Sequence, residues 1–189
     1  MTHADLRGFS DKGWNEIVVD GRGNVYINGG PGIALVTSDG SVRQVAESFA
    51  FPNGMAITPD NSTLIIAESH GKRLTAFDIA KDGSLSKRRV WADLSNGVPD
   101  GICIDADNAV WYADVPNKRC VRVREGGDVL QTINLDRGCF ACMLGGVGNR
   151  TLFVIATEWR GMENILEVAR ARTGQVLTVE APAPGVGWP

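Results

Sequence analysis

The chain contains 189 residues, of which 43% are hydrophobic and 22% are charged, and its formal net charge is −3. This composition is typical of a globular domain, and it excludes the strongly basic surface with which proteins bind nucleic acids. No segment approaches the roughly 18 consecutive apolar residues of a membrane helix, and residues 1–20 lack the apolar core of a signal peptide, so no membrane partner is expected.

In chain order, the first recurring feature is an apolar strand, a turn rich in Asp, Asn and Gly, and a second apolar strand. This hairpin pattern occurs four times, as IVVDGRGNVYING, AITPDNSTLIIAE, ICIDADNAVWYAD and MLGGVGNRTLFVIAT. A second hairpin follows each of them, in IALVTSDGSVRQVAE, LTAFDIAKDGSLSKRRVWAD, CVRVREGGDVLQTINL and ILEVARARTGQVLTVEA. Asp39-Gly40 and Asp82-Gly83 are strong turn signals, because glycine accepts the positive φ that tight hairpin turns require.

Each repeat therefore predicts two hairpins, or four antiparallel strands, in about 43 residues, which is the size of one β-propeller blade. A β-sandwich is the competing all-β fold, but it does not predict a fixed period of paired hairpins. Segments 64–67 and 152–155 are apolar on both faces, as expected for strands that lie between neighbouring blades. We therefore predict an all-β fold, a β-propeller with about four blades in this chain.

We predict one incomplete propeller domain over residues 1–189, with repeats at roughly 14–47, 53–93, 100–135 and 142–181. Propellers close with about four to eight blades, and blades of this size are typical of rings with about five to seven. Either the ring is unusually small, or an N-terminal portion of a larger ring is absent from this sequence. We favour the second hypothesis, which predicts self-association through the open edge of the propeller.

Three repeats carry an oxygen-bearing side chain where their first strand opens. These side chains are Asn15, Asn53 and Asp100, and the fourth repeat has Cys142 at the aligned position. Asx residues commonly stabilise turns, which is the simpler explanation for each site alone. However, equivalent loop positions of successive blades point at one end of the central channel. A ring of Asn, Asn and Asp oxygens suits a hard divalent cation, most naturally Ca²⁺.

The four cysteines are too few for a disulfide scaffold, so a reducing, cytoplasmic location is expected. Cys139 and Cys142 form a C-x-x-C motif, but only His3 and His70 could complement it in a zinc site. A redox motif would need a strand-to-helix context, which is not predicted here. We interpret these cysteines as buried structural residues.

The sequence resembles the SMP-30/gluconolactonase/luciferin-regenerating-like family from about Trp14 to the C-terminus. The segments that carry the resemblance are WNEIVVDGRGNVY, FPNGMAITPDNSTLIIAES, VPDGICIDADNAVWYAD and CFACMLGGVGNRTLFVIATEW. The resemblance implies a six-bladed propeller with a divalent metal on its axis, in which Ca²⁺ is the first expectation and Zn²⁺, Mg²⁺ and Mn²⁺ are alternatives. It also implies that Asn53 and Asp100 ligate the metal, that Asp100 transfers protons, and that Asn15 contacts the substrate.

Two positions depart from the family pattern. The family has a further metal ligand, a glutamate on its first blade, and residues 1–13 offer no candidate for it. Gly13 stands where some members have a substrate-contacting arginine, which affects the expected substrate preference. Arg7, Lys12, Glu16, Glu68 and Glu158 lie near predicted strand ends and could line the channel mouth, but solvated loop charges are the favoured interpretation.

The resemblance predicts a metal-dependent hydrolase that opens a sugar lactone. In this hypothesis the metal polarises the ester carbonyl, and Asp100 acts as the general base on water. The alternative is a catalytically inactive propeller, or a fragment of one, that binds a metal or a small ligand, because a fold does not certify an activity.

Overall fold

The computed structural model describes residues 2–30 and 32–187, so residues 1, 31, 188 and 189 of the predicted domain lie outside the described residues. The strands are β1 Trp14–Val19, β2 Val25–Gly29, β3 Gly32–Val36, β4 Val42–Ala46, β5 Pro52–Ile57, β6 Thr63–Glu68, β7 Arg73–Ile79, β8 Leu85–Asp93, β9 Pro99–Ile104, β10 Val110–Asp114, β11 Arg119–Val123, β12 Val129–Asn134, β13 Gly138–Gly145, β14 Thr151–Thr157 and β15 Gln175–Glu180. Two short 3₁₀ helices lie at Val147–Asn149 and Met162–Asn164, and one α-helix, α1, spans Ile165–Ala171. Within the described residues, no helix has the length and apolar character needed to cross a bilayer.

The strands form four separate antiparallel sheets, one for each sequence repeat. Three sheets have four strands in chain order, β1 to β4, β5 to β8 and β9 to β12, and the last contains β13, β14 and β15. Gly40 and Gly83 occupy the expected hairpin turns with φ of +84° and +80°, a conformation that disfavours residues with a Cβ. The predicted all-β fold with four propeller blades is confirmed.

The first strands of the sheets, β1, β5, β9 and β13, pack against one another in that order. Glycine permits their close approach at the third residue of the Pro-Asx-Gly segments. A Cβ added at Gly54 would lie 2.5 Å from the backbone nitrogen of Ile102, and one added at Gly101 would lie 2.9 Å from Cα of Ala141. These glycines therefore belong to a contact between blades, and the Pro-Asx-Gly segments open strands β5 and β9.

The hydrophobic core is divided among the three junctions between successive sheets. Tyr26 and Ile66 lie in the cluster between the first and second sheets. Ile65 and Tyr112 belong to the cluster between the second and third sheets, and Trp111 belongs to the one between the third and fourth. Strands β6 and β10 contribute to two clusters each, which explains why their sequences are apolar on both faces.

The fourth sheet departs from the predicted pattern. The segment expected to form the first strand of its second hairpin is the helix Ile165–Ala171, and only β15 follows it in the sheet. The sequence ILEVARA is rich in the helix formers Leu, Glu, Ala and Arg, and these preferences prevail over its short apolar alternation. The helix ends at Arg172, which has the left-handed conformation that commonly terminates helices.

Strand β14 differs from its counterparts in the second and third sheets. Its residues alternate between buried and exposed, so Phe153 and Ile155 are 36% and 52% exposed. The prediction that segment 152–155 is covered on both faces is therefore wrong for the described residues. No fifth sheet packs on the outer face of the fourth within that part of the chain.

Candidate metal and catalytic centre

The three predicted site residues occupy the same position in three neighbouring strands. Asn15, Asn53 and Asp100 are the second residues of β1, β5 and β9 respectively. Because these strands pack side by side, the three side chains converge at one end of the sheets. Asn15 is exposed, whereas Asn53 and Asp100 are half-buried. The three residues that the sequence placed at the opening of the first strand of each repeat therefore lie at the same end of the sheets.

Hydrogen bonds connect the three side chains in a row. Asn15 Nδ2 donates to Asn53 Oδ1 at 3.2 Å and to the Pro52 carbonyl oxygen at 3.3 Å. The Asn53 side chain in turn donates to the carboxylate of Asp100. These contacts bring two amides and one carboxylate within direct reach of one another, as the sequence predicted. Their roles as ligands or catalysts remain predictions.

Two residues that the sequence analysis did not select hold Asn53 in place. Ser69 Oγ donates to the Pro99 carbonyl oxygen at 2.6 Å and accepts from Asn53 Nδ2 at 3.4 Å. Asn28 Nδ2 donates to the Asn53 carbonyl oxygen at 2.5 Å. Asn28 is fully buried, and its Oδ1 has no hydrogen-bond partner among the described residues. The sequence contained one signal for the supporting role of Asn28. A polar residue within a mostly apolar strand needs a hydrogen-bond partner when it is buried.

The fourth sheet does not present Cys142 at the channel mouth. Gly54 lies against Gly101, and Gly101 lies against Ala141, so the residue equivalent to Asp100 is Phe140. Cys142 is instead buried between the third and fourth sheets, where its Sγ lies 3.5 Å from the Trp111 carbonyl oxygen. The register of β13 shifts between Cys139 and Ala141, as it also does at the equivalent place in β1, β5 and β9. After this shift β13 has five paired residues before its turn, 141–145, whereas β9 has three, 102–104, so the alignment on the second strand selected a residue two positions too late.

The electrostatics of the site depend on two carboxylates. Burial raises the pKa of Asp100 to about 7, and the negative charge of Glu16 adds to this increase, while the hydrogen bond from Asn53 opposes it. Burial also raises the pKa of Glu16. The interpretation of Glu16 as a solvated loop charge is therefore wrong. Glu16 follows Asn15 directly, and a register shift in β1 between Trp14 and Glu16 interrupts the strict alternation of side chains there.

The donor atoms at this end of the sheets fit a hard divalent cation. The side chains are two amides and two carboxylates, so the atoms that could ligate a cation are oxygens, with no sulfur or imidazole nitrogen. They belong to Asn15, Glu16, Asn53 and Asp100. Neither carboxylate forms an ion pair with Lys or Arg among the described residues. A cation would lower the cost of keeping the two negative charges close together. Over residues 2–30 and 32–187, no cluster of three or more His, Cys, Asp or Glu is suited to metal binding, so the amide oxygens would have to participate.

The other charged candidates for the channel mouth have structural or surface roles. Glu68 is fully buried and forms ion pairs with Arg73 and Arg88. Arg7 pairs with Asp5 on the surface, Glu158 pairs with Arg160, and Lys12 is exposed. The favoured interpretation of solvated charges holds for Arg7, Lys12 and Glu158 but is wrong for Glu68.

All four cysteines are free, buried and located at the junction of the third and fourth sheets. Cys103 Sγ lies 3.9 Å from Cys142 Sγ. Hydrogen bonding among the thiols and burial raise the pKa of Cys103 and Cys120. High pKa values suppress the thiolate form that metal binding and redox chemistry require, and the cysteines are buried as predicted.

A cavity of about 130 Å³ adjoins Asn53 and Asp100. Its wall also contains Ser69, Phe140 and Trp159. A larger groove of about 480 Å³ lies at the opposite end of the second and third sheets, next to their first turns. Its arginines Arg89 and Arg124 form ion pairs with neighbouring carboxylates, so the smaller cavity is the one that combines open space with the converging side chains.

The family model described as the SMP-30/Gluconolactonase/LRE-like region matches residues 8–158. The chain belongs to this family. Family membership confirms the resemblance inferred from the repeats. Regucalcin of Xenopus laevis is 32% identical over 147 residues, which are 75% of this chain and 48% of regucalcin. The 6-deoxy-6-sulfogluconolactonase of Pseudomonas putida is 27% identical over 167 residues, which are 86% of this chain and 56% of that enzyme.

Solved structures of the family share the fold. The crystal structure of regucalcin, a calcium-binding protein from Agrobacterium tumefaciens, superposes with a TM-score of 0.81 at 18% sequence identity. The superposition covers 98% of this chain and 67% of regucalcin. The chain spans about half the length of the curated relatives that it matches.

Proposed function

We propose that this member of the family is a metal-dependent lactonase in which Asp100 is the general base. The observation that carries this proposal is the convergence of Asn15, Asn53 and Asp100, with the pKa of Asp100 raised to about 7. This pKa belongs to the metal-free protein, and the charge of a bound cation would lower it, so Asp100 would be ionised and able to accept a proton from water at neutral pH. Sugar lactones, which the sequence predicted and on which the related 6-deoxy-6-sulfogluconolactonase acts, are the first substrates to assay.

Asn53 and Asp100 would hold the divalent cation, with Ca²⁺ as the first candidate and Zn²⁺, Mg²⁺ and Mn²⁺ as alternatives. When bound, such a cation polarises a carbonyl group as a Lewis acid. Asn15 is exposed beside Asn53, and because its Nδ2 already donates to Asn53 and Pro52, its Oδ1 would be the atom that contacts the substrate. The oxygen-only donor set and the two neighbouring carboxylates support this assignment.

The residues of this chain carry the proton transfers. The Asp100 carboxylate takes a proton from water as the water oxygen bonds to the lactone carbonyl carbon. The ring C–O bond then breaks, and the protonated Asp100 returns its proton to the departing ring oxygen. The product is a hydroxy acid. Asn53 donates to the Asp100 carboxylate and thereby orients it, while Ser69 and Asn28 hold Asn53.

The direct experiment measures hydrolysis of glucono-δ-lactone and δ-valerolactone by the intact chain, with and without a chelator. Asp100→Ala is compared with Asp128→Ala, which removes an exposed carboxylate at the turn between β11 and β12. We expect the chelator and Asp100→Ala each to abolish turnover, and Asp128→Ala to retain it. Turnover that persists in Asp100→Ala would overturn the assigned role of this residue.

A catalytically inactive binding protein is the second candidate. It is favoured by the small number of carboxylates, since the described residues contain no cluster of three or more His, Cys, Asp or Glu suited to a metal ion. Calorimetric Ca²⁺ binding that depends on Asn53 and Asp100, with no hydrolysis of any lactone, would support this alternative and overturn the enzyme.

We also propose that copies of this chain self-associate through the outer face of the fourth sheet. Phe153, Ile155 and Val176 are exposed there, and Val176 is 67% exposed. Exposed apolar side chains grouped on one sheet face favour burial against another surface.

Free, buried thiols at all four cysteines support the proposed cytoplasmic location.

A further inference from the structure

The cavity beside Asp100 has an apolar wall. Of its thirteen lining residues none is Lys or Arg, and the polar members are Asn53, Ser69, His70 and Asp100. Ser69 already donates its hydroxyl proton to the Pro99 carbonyl oxygen, so it offers no free donor. The other nine wall residues are apolar or aromatic, and they include Phe140, Trp159, Met162 and Ile165. The cavity therefore has few groups with which to bind the hydroxyls of a sugar.

Much of this wall comes from the segment that replaces a strand in the fourth sheet. Trp159, Met162 and Ile165 lie between β14 and β15, in the segment that contains the 3₁₀ helix Met162–Asn164 and the start of helix α1. Met162 and Ile165 are 58% and 38% exposed at the rim. The departure from the four-strand pattern therefore places apolar side chains directly at the site.

The wall is anchored by specific packing. The Trp159 ring meets the Phe140 ring edge-on, with 5.7 Å between their centroids. Gly138 permits this arrangement, because a Cβ added there would lie 2.9 Å from Cβ of Trp159. Phe140 is the residue of the fourth sheet equivalent to Asp100, so the anchored aromatic pair stands next to the proposed base.

We propose that the site takes a lactone that carries an alkyl or aryl substituent, in preference to a polyhydroxylated sugar lactone. This inference rests on the proposed lactonase function, and it assigns the substituent to the wall formed by Phe140, Trp159 and Met162. The ester ring lies toward Asn53 and Asp100, and hydrolysis gives a hydroxy acid with the substituent unchanged. Burial of each methylene contributes about fourfold to binding, because it removes apolar surface from water.

The test compares kcat/KM for δ-valerolactone, δ-octalactone, δ-decalactone and glucono-δ-lactone in the presence of Ca²⁺. We expect kcat/KM to rise by at least about an order of magnitude from δ-valerolactone to δ-decalactone, because burial of two of the five added carbon atoms would already contribute about 16-fold. We also expect glucono-δ-lactone to be a poorer substrate than δ-decalactone. Glucono-δ-lactone as the better substrate would overturn the inference about the substituent and leave the lactonase proposal intact.

Substitutions in the cavity wall test which residues cause the preference for an alkyl substituent. Trp159→Ala is expected to reduce the ratio of kcat/KM for δ-decalactone over δ-valerolactone by about tenfold, and Met162→Ala by about threefold. Met162 is exposed, so its variant keeps the test valid if Trp159→Ala does not fold. Leu166→Ala is the matched control, because Leu166 is 69% exposed on helix α1, in the same segment between β14 and β15, and does not line the cavity. Unchanged ratios in both wall variants would overturn the inference.

A binding measurement separates this inference from the lactonase proposal. The lactam analogues of δ-decalactone and δ-valerolactone resist hydrolysis, and their affinities can be measured by calorimetry. Tighter binding of the alkyl lactam by about tenfold, lost in Trp159→Ala, supports the apolar subsite even if no lactone is hydrolysed. Equal affinities would overturn the subsite, whereas the absence of turnover alone would overturn only the lactonase.

Discussion

Glu16 in β1 and Asp100 in β9 place two carboxylates at the same end of the sheets, and the charge of Glu16 helps to raise the pKa of Asp100. Strand β5 lies between these two strands and contributes Asn53, which donates to Asp100. The pKa of Asp100 therefore depends on three effects. Burial raises it most, the carboxylate of Glu16 two strands away raises it further, and the Asn53 amide lowers it.

The first prediction concerns the titration of Asp100. In the metal-free protein, the Asp100 carboxyl should titrate at a pH of about 7. Because Glu16 raises this pKa through its negative charge, Glu16→Gln should lower it. Carbon-detected NMR of the carboxyl group measures both values. An Asp100 pKa that is equal in the two proteins would show that the charge of Glu16 does not act on the base.

The second prediction concerns the role of Asn53. Asn53→Ala removes the proposed oxygen ligand and the hydrogen bonding to Asp100, so Ca²⁺ affinity measured by calorimetry should fall by at least about tenfold. Asn134→Ala is the matched control, because Asn134 is exposed at the end of β12. Equal Ca²⁺ affinities of the two variants would remove Asn53 from the proposed ligand set.

The third prediction concerns the glycines between blades. Gly54→Ala should lower the free energy of unfolding by about 1–3 kcal/mol, because its Cβ would lie 2.5 Å from the backbone nitrogen of Ile102. Gly174→Ala should have little effect, since no atom lies within 4 Å of the added Cβ. Urea denaturation compares the variants, and equal losses of stability would argue against the close approach of β5 and β9.

The fourth prediction concerns acid stability. Burial raises the pKa of Glu68, but hydrogen bonds from Arg73, Thr75 and the Ala50 amide outweigh burial and hold this pKa at about 2. The unfolded chain has the ordinary value of 4.5. Glu68 therefore stabilises the folded state above pH 4.5, and this contribution disappears as the pH falls toward about 2.

Glu68→Gln should accordingly lower the free energy of unfolding at neutral pH by about 2 kcal/mol. The difference from the unmodified protein should shrink as the pH falls below 4.5. Glu125→Gln, at an exposed position, should show no such difference at any pH. Urea denaturation across this pH range makes the comparison, and a constant difference would contradict the linkage.

The fifth prediction concerns self-association. Ile155 is 52% exposed on the outer face of β14, so Ile155→Lys should reduce the apparent mass of the protein in concentrated solution. Light scattering at several concentrations measures the effect. Leu166→Lys, on helix α1, is the matched exposed control. A monomer at every concentration before substitution would end this proposal.

The sequence was sufficient to predict the repeats and the shared location of Asn15, Asn53 and Asp100, because both depend on regular spacing along the chain. It was insufficient where the length of a hairpin changes and where the partners of a residue lie in other strands. The two additional residues of β13 before its turn concealed the equivalence of Phe140 and Asp100. No local pattern indicated that the charge of Glu16 acts on Asp100. Residues from other strands, such as Asn28, depend on pairing geometry that local patterns do not specify.

The helix Ile165–Ala171 shows a different limit. Its sequence alternates briefly like a strand, and the preceding repeats favoured that interpretation. The preference of Leu, Glu, Ala and Arg for helices decided the outcome. The consequence for function is large, because this departure brings Trp159 and Met162 to the cavity.

The central claim is that one cation binds between Asn53 and Asp100. Anomalous diffraction from crystals soaked in Mn²⁺ tests it most directly, because Mn²⁺ replaces Ca²⁺ at oxygen sites and is located by its own scattering. We predict one strong peak within about 2.6 Å of Asn53 Oδ1 and of an Asp100 carboxylate oxygen. A peak elsewhere, with no density between these two side chains, would contradict the account.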